Sequence, residues 1–290
     1  MLGSHLFGLY EKALPDSISL PEKFRQAKAL GFDYMEISVD ESDVRLNRLY
    51  LPEKEQLALG QELRAAGLGP QSLCLSAHRR FPFGSADAGK RRTALDIMEK
   101  AIVFSKNLGI SVIQLAGYDV YYEPPREDSP RLFLEGLRAA CRMASAHQVM
   151  LALETMDSPF LCSVRKYKEI KALLPSPWLA LYPDIGNLSA WEENDVLHEL
   201  RLGIDDTVAV HLKETRRPGQ GPACFRGVPF GSGCVDFPAA FAHMEALGYT
   251  GPYTLEMWHR EGNAQAEIRK AAAFVSQCFQ AETSEIKARK

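Results

Sequence analysis

Several things are missing from this sequence, and each absence narrows the reading. Six cysteines in 290 residues (Cys74, Cys141, Cys162, Cys224, Cys234 and Cys278) form no Cys-x-x-Cys pair and no repeating spacing. A disulfide framework belongs to small, cysteine-dense secreted chains, so free thiols in a reducing compartment are expected. There is no excess of basic charge. The formal net charge is −3 and the pI about 6.2, which argues against a protein that grips nucleic acid along its backbone. No run of about 18 uninterrupted apolar residues occurs, so no membrane span is expected. The opening MLGSHLFGLYEKALP lacks the basic start and long apolar stretch of a signal peptide, and a cytoplasmic location follows as the expectation. No Gly-x-Gly-x-x-Gly or Walker-type loop follows the first apolar run, which weakens a dinucleotide- or nucleotide-binding reading.

What is present is an alternation. Short, mostly apolar runs at Leu6–Tyr10, Tyr34–Ser38, Gln71–Leu75, Val112–Ala116, Met150–Thr155, Leu179–Pro183, Val208–Leu212 and Tyr253–Met257 read as strands buried on both faces. Amphipathic segments separate them. In Lys90–Asn107 and just beyond, Leu95, Met98, Ile102, Ser105 and Leu108 recur at three- and four-residue steps and mark one buried stripe. Ser129-Pro130 reads as a helix start with a capping hydroxyl, and Asp236 as the cap of Phe237–Ala246. In Leu30-Gly31-Phe32, Leu108-Gly109-Ile110 and Leu247-Gly248-Tyr249, glycine falls where a helix ends and a strand is about to begin. Eight β-then-α units in 290 residues predict one closed (β/α)8 TIM barrel, for which roughly 250 residues is typical, rather than an open doubly wound sheet. A single domain spanning residues 1–290 is expected, with a polar, disordered tail at Ser284–Lys290. The longest irregular stretch, Thr215–Val235, reads as a functional loop.

In such a barrel the active site lies at the C-terminal ends of the strands. Strand five ends in LALE (Glu154), strand six in LYPD (Asp184), strand seven in VAVH (His211) and strand eight in YTLE (Glu256). Singly, each has an ordinary explanation: a solvated carboxylate, a turn cap, a hydrogen-bonded core histidine. Together, three carboxylates at one mouth repel one another unless a cation compensates them, and His with carboxylates suits one divalent ion such as Zn²⁺, Mn²⁺, Mg²⁺ or Co²⁺. An ion there would polarise a sugar carbonyl, acidify the neighbouring C–H and stabilise an enediolate. Glu154 and Glu256, from different strands, are then the natural pair of bases. Lys213 lies two residues past His211 and so points the same way, which makes it a candidate substrate or phosphate contact. His78, Arg79 and Arg80 after strand three, and Glu11 after strand one, are further candidates. Their ordinary readings are a solvated basic loop and an ion pair with a neighbouring helix. Gln114 reads more simply as a core hydrogen-bonding group. Tyr118, Tyr121 and Tyr122 suit either a pocket wall or a subunit contact, and Trp191 and Trp258 suit packing over the site.

The stretches GLYEKALP, EISVDESD, CLSAHRRFPFGS, IQLAGYDVYY, YPDIGNLSAW, VAVHLKET and VPFGSG together resemble the L-ribulose-5-phosphate 3-epimerase family, which serves L-ascorbate and L-xylulose catabolism within the xylose-isomerase-like barrels. The likeness runs from about Gly8 to Trp258. It implies interconversion of L-ribulose 5-phosphate and L-xylulose 5-phosphate at C3, a metal on Glu154, Asp184, His211 and Glu256, and the two glutamates as the acid–base pair. It also implies a homo-oligomer, a dimer by preference. Related ketose 3-epimerases carry a substrate-touching His three residues past the Asp, where this chain has Asn187. A substrate-binding Arg in the loop after strand seven corresponds best to Arg226, and Arg216–Cys224 is longer than the family leads one to expect. The rival readings are a multi-metal AP endonuclease, an inosose dehydratase or hexulose-phosphate isomerase with the same ligand set, and a non-catalytic sugar-phosphate-binding protein.

Overall fold

The computed structural model of the chain describes residues 2–217 and 225–288. Among them, eight parallel strands form one sheet: β1 (Phe7–Tyr10), β2 (Tyr34–Val39), β3 (Gly69–Leu75), β4 (Val112–Ala116), β5 (Met150–Glu154), β6 (Leu179–Tyr182), β7 (Val210–Leu212) and β8 (Tyr253–Leu255). Each agrees with its sequence expectation to within two residues at either end. The hydrogen-bonded order is β6-β5-β4-β3-β2-β1-β8-β7. Two isolated parallel bridges, Leu181 with Thr207 and Asp184 with His211, join β6 to β7 and close the barrel.

The outer layer is helical: α1 (Leu20–Ala29), α2 (Asp43–Leu46), α3 (Glu53–Ala65), α4 (Ala88–Leu108), α5 (Ser129–His147), α6 (Val164–Leu173), α7 (Ile185–Ala190), α8 (Val196–Gly203), α9 (Phe237–Ala246) and α10 (Ala264–Ala288). In α4 the expected stripe is buried from Met98 to Leu108 and half-buried at Leu95, with Met98 and Ile102 fully enclosed, each contributing roughly 1.5–3 kcal/mol by leaving water. The helix stops at Gly109, which takes the left-handed conformation at φ 81° that other residues adopt only with strain. Asp236 caps α9 as expected, accepting from the Ala239 N–H at 3.0 Å. Two expectations are corrected. Ser129 does not cap α5; its hydroxyl instead accepts backwards from the Arg126 N–H at 2.9 Å. The segment taken as a disordered tail is the end of α10 as far as Ala288. Five of the cysteines are free thiols, and Cys224 lies outside the described residues. No described helix is long and apolar enough to cross a membrane.

Alternation along the strands divides two environments. Leu9, Met35, Ile37, Leu73, Ile113, Leu151, Leu153, Leu181, Val210 and Leu255 belong to the large aliphatic core shared with the helices. The opposite face is polar over much of its height, and its hydroxyls are linked in a chain. Tyr34 and Tyr182 each bond Thr254 at 2.7 Å. Gly8 makes room for this layer, because a Cβ there would sit 2.2 Å from the Tyr34 ring. The floor is small and apolar, formed by Ala152, Ala180 and Ala209 around Tyr182.

Candidate metal centre

The strand ends bring Glu154, Asp184, His211 and Glu256 together as expected. One ligand atom from each lies within 4.8 Å of the others, and all four residues are buried. Local structure fixes each. Glu154 ends β5 and accepts from the Gln114 amide on β4. Asp184 caps α7: its Oδ1 accepts from the Asn187 N–H at 2.8 Å, and its own N–H donates to Thr155 at 3.0 Å. That leaves Asp184 Oδ2 for the cluster. His211 presents Nδ1 to Glu154 at 2.8 Å and to Glu256 at 3.8 Å. Glu256 follows β8, its N–H still on the ladder to Leu212 at 2.9 Å. Lys213 occupies the same mouth, with Nζ 2.7 Å from Asp184 Oδ2 and 3.0 Å from Glu256 Oε2.

The electrostatics favour a further cation. Glu36, Glu154, Asp184 and Glu256 place four carboxylates in this buried space, against the ammonium of Lys213 and the imidazole of His211. Burial, reinforced by Glu256 and Glu154, pushes the Asp184 carboxyl well up despite Lys213 beside it. Burial acts the same way on Glu256, but Lys213 and His211 outweigh it and hold that carboxyl low. His211 is driven up because Glu36, Glu256 and Glu154 overcome the cost of burying its charge. Asp184 Oδ2 and Glu256 Oε2 share the one ammonium of Lys213 and have no other aligned hydrogen bond among the described residues. One cation between two buried carboxylates leaves charge that a further cation would stabilise. The donor set, three carboxylate oxygens and one imidazole nitrogen, fits a divalent ion.

A polar crevice lies over the cluster, lined by Tyr10, Lys12, Ser76, Arg79, Glu154, Asp157, Lys213, Arg226, Glu256 and Trp258 among others. It adjoins a more open cavity of about 230 Å³ through Lys213, Glu256 and Trp258. Of the predicted contacts, Lys213, Arg79 and Arg226 reach the crevice. The Arg79 guanidinium is 5.6 and 5.3 Å from the ring centres of Tyr118 and Tyr121, which form the wall behind it. Arg226 and Lys213 lie 5.6 and 5.8 Å from the Trp258 ring centre. Trp191 does not line the crevice; its indole N–H donates to the carbonyl of Met156, which does. The stretch Arg216–Cys224 lies outside the described residues from 218 onward.

Three predicted contacts are placed elsewhere. His78 is buried against Phe83, with Nε2 3.1 Å from the Ala94 carbonyl, and burial pushes its pKa down to about 4; it is a core histidine. Glu11 turns away from the crevice into an ion network with Arg48 at 2.6 Å, Lys23 at 3.3 Å and the Ser38 N–H at 2.9 Å. Burial would raise its pKa, but Arg48 and Lys23 outweigh that and hold it at about 2. Asn187 is fully buried and donates to the Thr155 carbonyl at 2.8 Å; an amide one turn into α7 braces β5 instead of reaching the mouth. Arg80, as its ordinary reading had it, is half-exposed and paired with Asp43 at 2.7 Å.

Reading the sequence residue by residue missed Glu36, Lys12, Ser76 and Asp157. Glu36 had a signal: a carboxylate in the middle of the otherwise apolar run YMEISV must be compensated if the strand is buried. The other three follow strand ends, with nothing local to set them apart.

Three comparisons bear on this arrangement. The sequence profile of the xylose isomerase-like TIM barrel family matches residues 24–278. L-ribulose-5-phosphate 3-epimerase UlaE of Salmonella paratyphi C is 49% identical over 269 residues, covering 92% of this chain and 93% of that protein. Among solved structures, an L-ribulose 3-epimerase superposes with a TM-score of 0.79 at 20% identity, covering 98% and 97% of the two chains. The IOLI protein with a bound zinc atom gives a TM-score of 0.79 at 16% identity over 96% and 99%. A barrel mouth ringed by these side chains, with that extent of sequence likeness, means that the chain belongs to the L-ribulose-5-phosphate 3-epimerase family of the xylose isomerase-like TIM barrels and is an epimerase of the isomerase class.

Proposed function

We propose that the protein interconverts L-ribulose 5-phosphate and L-xylulose 5-phosphate by inverting C3, with Glu154 and Glu256 as its two bases and one divalent ion on Glu154, Asp184, His211 and Glu256. The observation that carries this is the buried four-residue cluster opening into a crevice lined by cationic side chains. Glu154, Asp184, His211 and Glu256 would hold the ion, and it would supply Lewis acidity toward the C2 carbonyl, which makes the C3 proton easier to remove. One glutamate, starting ionised, takes the C3 proton, and the electron pair of that bond moves toward the carbonyl oxygen. The other, starting as the acid, gives its proton to the opposite face of C3, and the roles exchange in the reverse direction. Gln114 holds Glu154 by donating to one of its oxygens, and Lys213 sets the charge state of Glu256 across 3.0 Å.

The phosphate needs cationic and hydroxyl partners. Lys12, Ser76, Arg79 and Arg226 supply them along the crevice, and Arg79 Nε and Ser76 Oγ have no hydrogen-bond partner among the described residues. The zinc in the structurally similar IOLI protein makes Zn²⁺ one candidate ion beside Mn²⁺, Mg²⁺ and Co²⁺. The test is incubation with L-ribulose 5-phosphate in deuterated water, followed by NMR at C3. Deuterium is expected to enter C3 as L-xylulose 5-phosphate forms, and to cease entering with a chelator or in Glu154→Gln. Substrate binding without exchange at C3 would overturn the proposal.

A further inference from the structure

His211 is gripped from both sides, and only one side is the metal cluster. Its Nδ1 faces Glu154 and Glu256, while Nε2 points the opposite way and meets Glu36 Oε1 at 2.7 Å, with both residues fully buried. That is the length of a charge-assisted hydrogen bond. Glu36 Oε2 is itself occupied: it accepts from Ser72 at 2.6 Å and from Tyr182 at 3.1 Å. Tyr182 is in turn tied to Thr254 at 2.7 Å. Glu36 therefore presents one free acceptor oxygen in one orientation, and it presents it to His211.

We infer that Glu36 is the positioning residue of the metal centre, fixing the His211 imidazole as its Nε2–H tautomer so that Nδ1 carries the lone pair offered to the ion. The inference rests on the reading that the four-residue cluster holds a divalent ion. A neutral imidazole has a single N–H. The Glu36 carboxylate claims that proton at Nε2, which leaves Nδ1 as the only nitrogen able to bind metal and makes it a better donor. Glu36 is not a ligand, because the imidazole stands between it and Glu154. The hydroxyls of Ser72 and Tyr182 keep it from turning.

The test measures metal binding directly, by calorimetry with Mn²⁺ and Zn²⁺ on the full chain, for wild type, Glu36→Gln, Glu36→Ala and Asp184→Asn. The expected result is an affinity loss of roughly 10-fold in Glu36→Gln and up to about 100-fold in Glu36→Ala, the range seen when such outer partners are removed. Long-range ¹H–¹⁵N spectra of the Zn²⁺-loaded wild type should show His211 protonated at Nε2, and Glu36→Ala should lose that definition. If both Glu36 variants bind metal as tightly as wild type while Asp184→Asn binds weakly, the role of Glu36 is overturned and the metal centre stands. If Asp184→Asn also binds like wild type, the cluster is not the metal site and the inference falls with it. Should Glu36→Ala fail to fold, the isosteric Glu36→Gln and the nitrogen shifts decide.

Discussion

Two ionic clusters lie within this barrel, one largely and one wholly buried, and they are built from the same residue types to opposite ends. Beside β1 and β2, the carboxylates of Glu11, Asp16 and Asp40 meet the cations of Lys12, Lys23, Arg45 and Arg48, with separations from 2.5 to 3.8 Å. At the mouth, Glu36, Glu154, Asp184 and Glu256 pair with His211 and Lys213. The first set is balanced, slightly toward the positive, and each charge has paid its desolvation cost with a partner. The second carries an acidic excess in the ion pairs just named: four carboxylates against one ammonium and one imidazole. Glu11 is as buried as Asp184, so burial does not distinguish a structural ion network from a reactive one; the charge excess does.

Substitutions should separate the two clusters, and the largest effect belongs to the two proposed bases. Glu154→Gln and Glu256→Gln are expected to lower kcat by about 10²- to 10⁴-fold while the far-ultraviolet circular dichroism and melting temperature stay close to wild type. Glu11→Ala should do the reverse. Leaving Arg48 and Lys23 without their buried partner should cost about 3–5 kcal/mol in urea denaturation, with metal affinity retained. The pH dependence has a definite sign. Because the folded pKa of Glu11 is held at about 2, below its ordinary 4.5, its contribution is complete above about pH 4.5 and drains away as the pH falls toward 2. That contribution is roughly 3 kcal/mol, and Glu11→Gln should flatten this part of the stability profile. Next in size, Arg79→Ala should raise KM for the phosphorylated sugar by the equivalent of about 1.5–3 kcal/mol, the usual worth of a charged hydrogen bond. It should have little effect on the unphosphorylated sugar. The smallest effect is the most diagnostic. In chelated protein, Asp184→Asn removes one carboxylate from an acidic cluster, keeps a capping side chain and leaves Lys213 paired with Glu256, so stability should hold or rise by about 0.5–2 kcal/mol. A loss comparable to that of Glu11→Ala would erase the distinction between the clusters.

The barrel was largely readable from the sequence because its signals are local and repeated. Val112–Ala116 is an apolar run of strand length, and Gly109 sits where a left-handed cap is needed. The four clustered residues were readable for a related reason: topology guarantees that residues ending β5 to β8 share one rim. What was not readable depends on side-chain direction across strands. His78 and Arg79 are sequence neighbours in one short turn, yet one packs under α4 and the other faces the crevice. Glu11 is drawn aside by Arg48, 37 residues later, a pairing that no local pattern announces. Ser129 had the chemistry of a cap, but its hydroxyl found a nearer donor in the preceding turn.

The last gap in the cylinder has its own lesson. Between β6 and β7 the ladder is reduced to two isolated bridges, and one of them joins Asp184 to His211. The seam that shuts the wall is therefore fastened by the same two residues that would clasp the ion. Any change that lets those two edges drift apart also pulls the clasp open, so architecture and chemistry at this point cannot be altered independently.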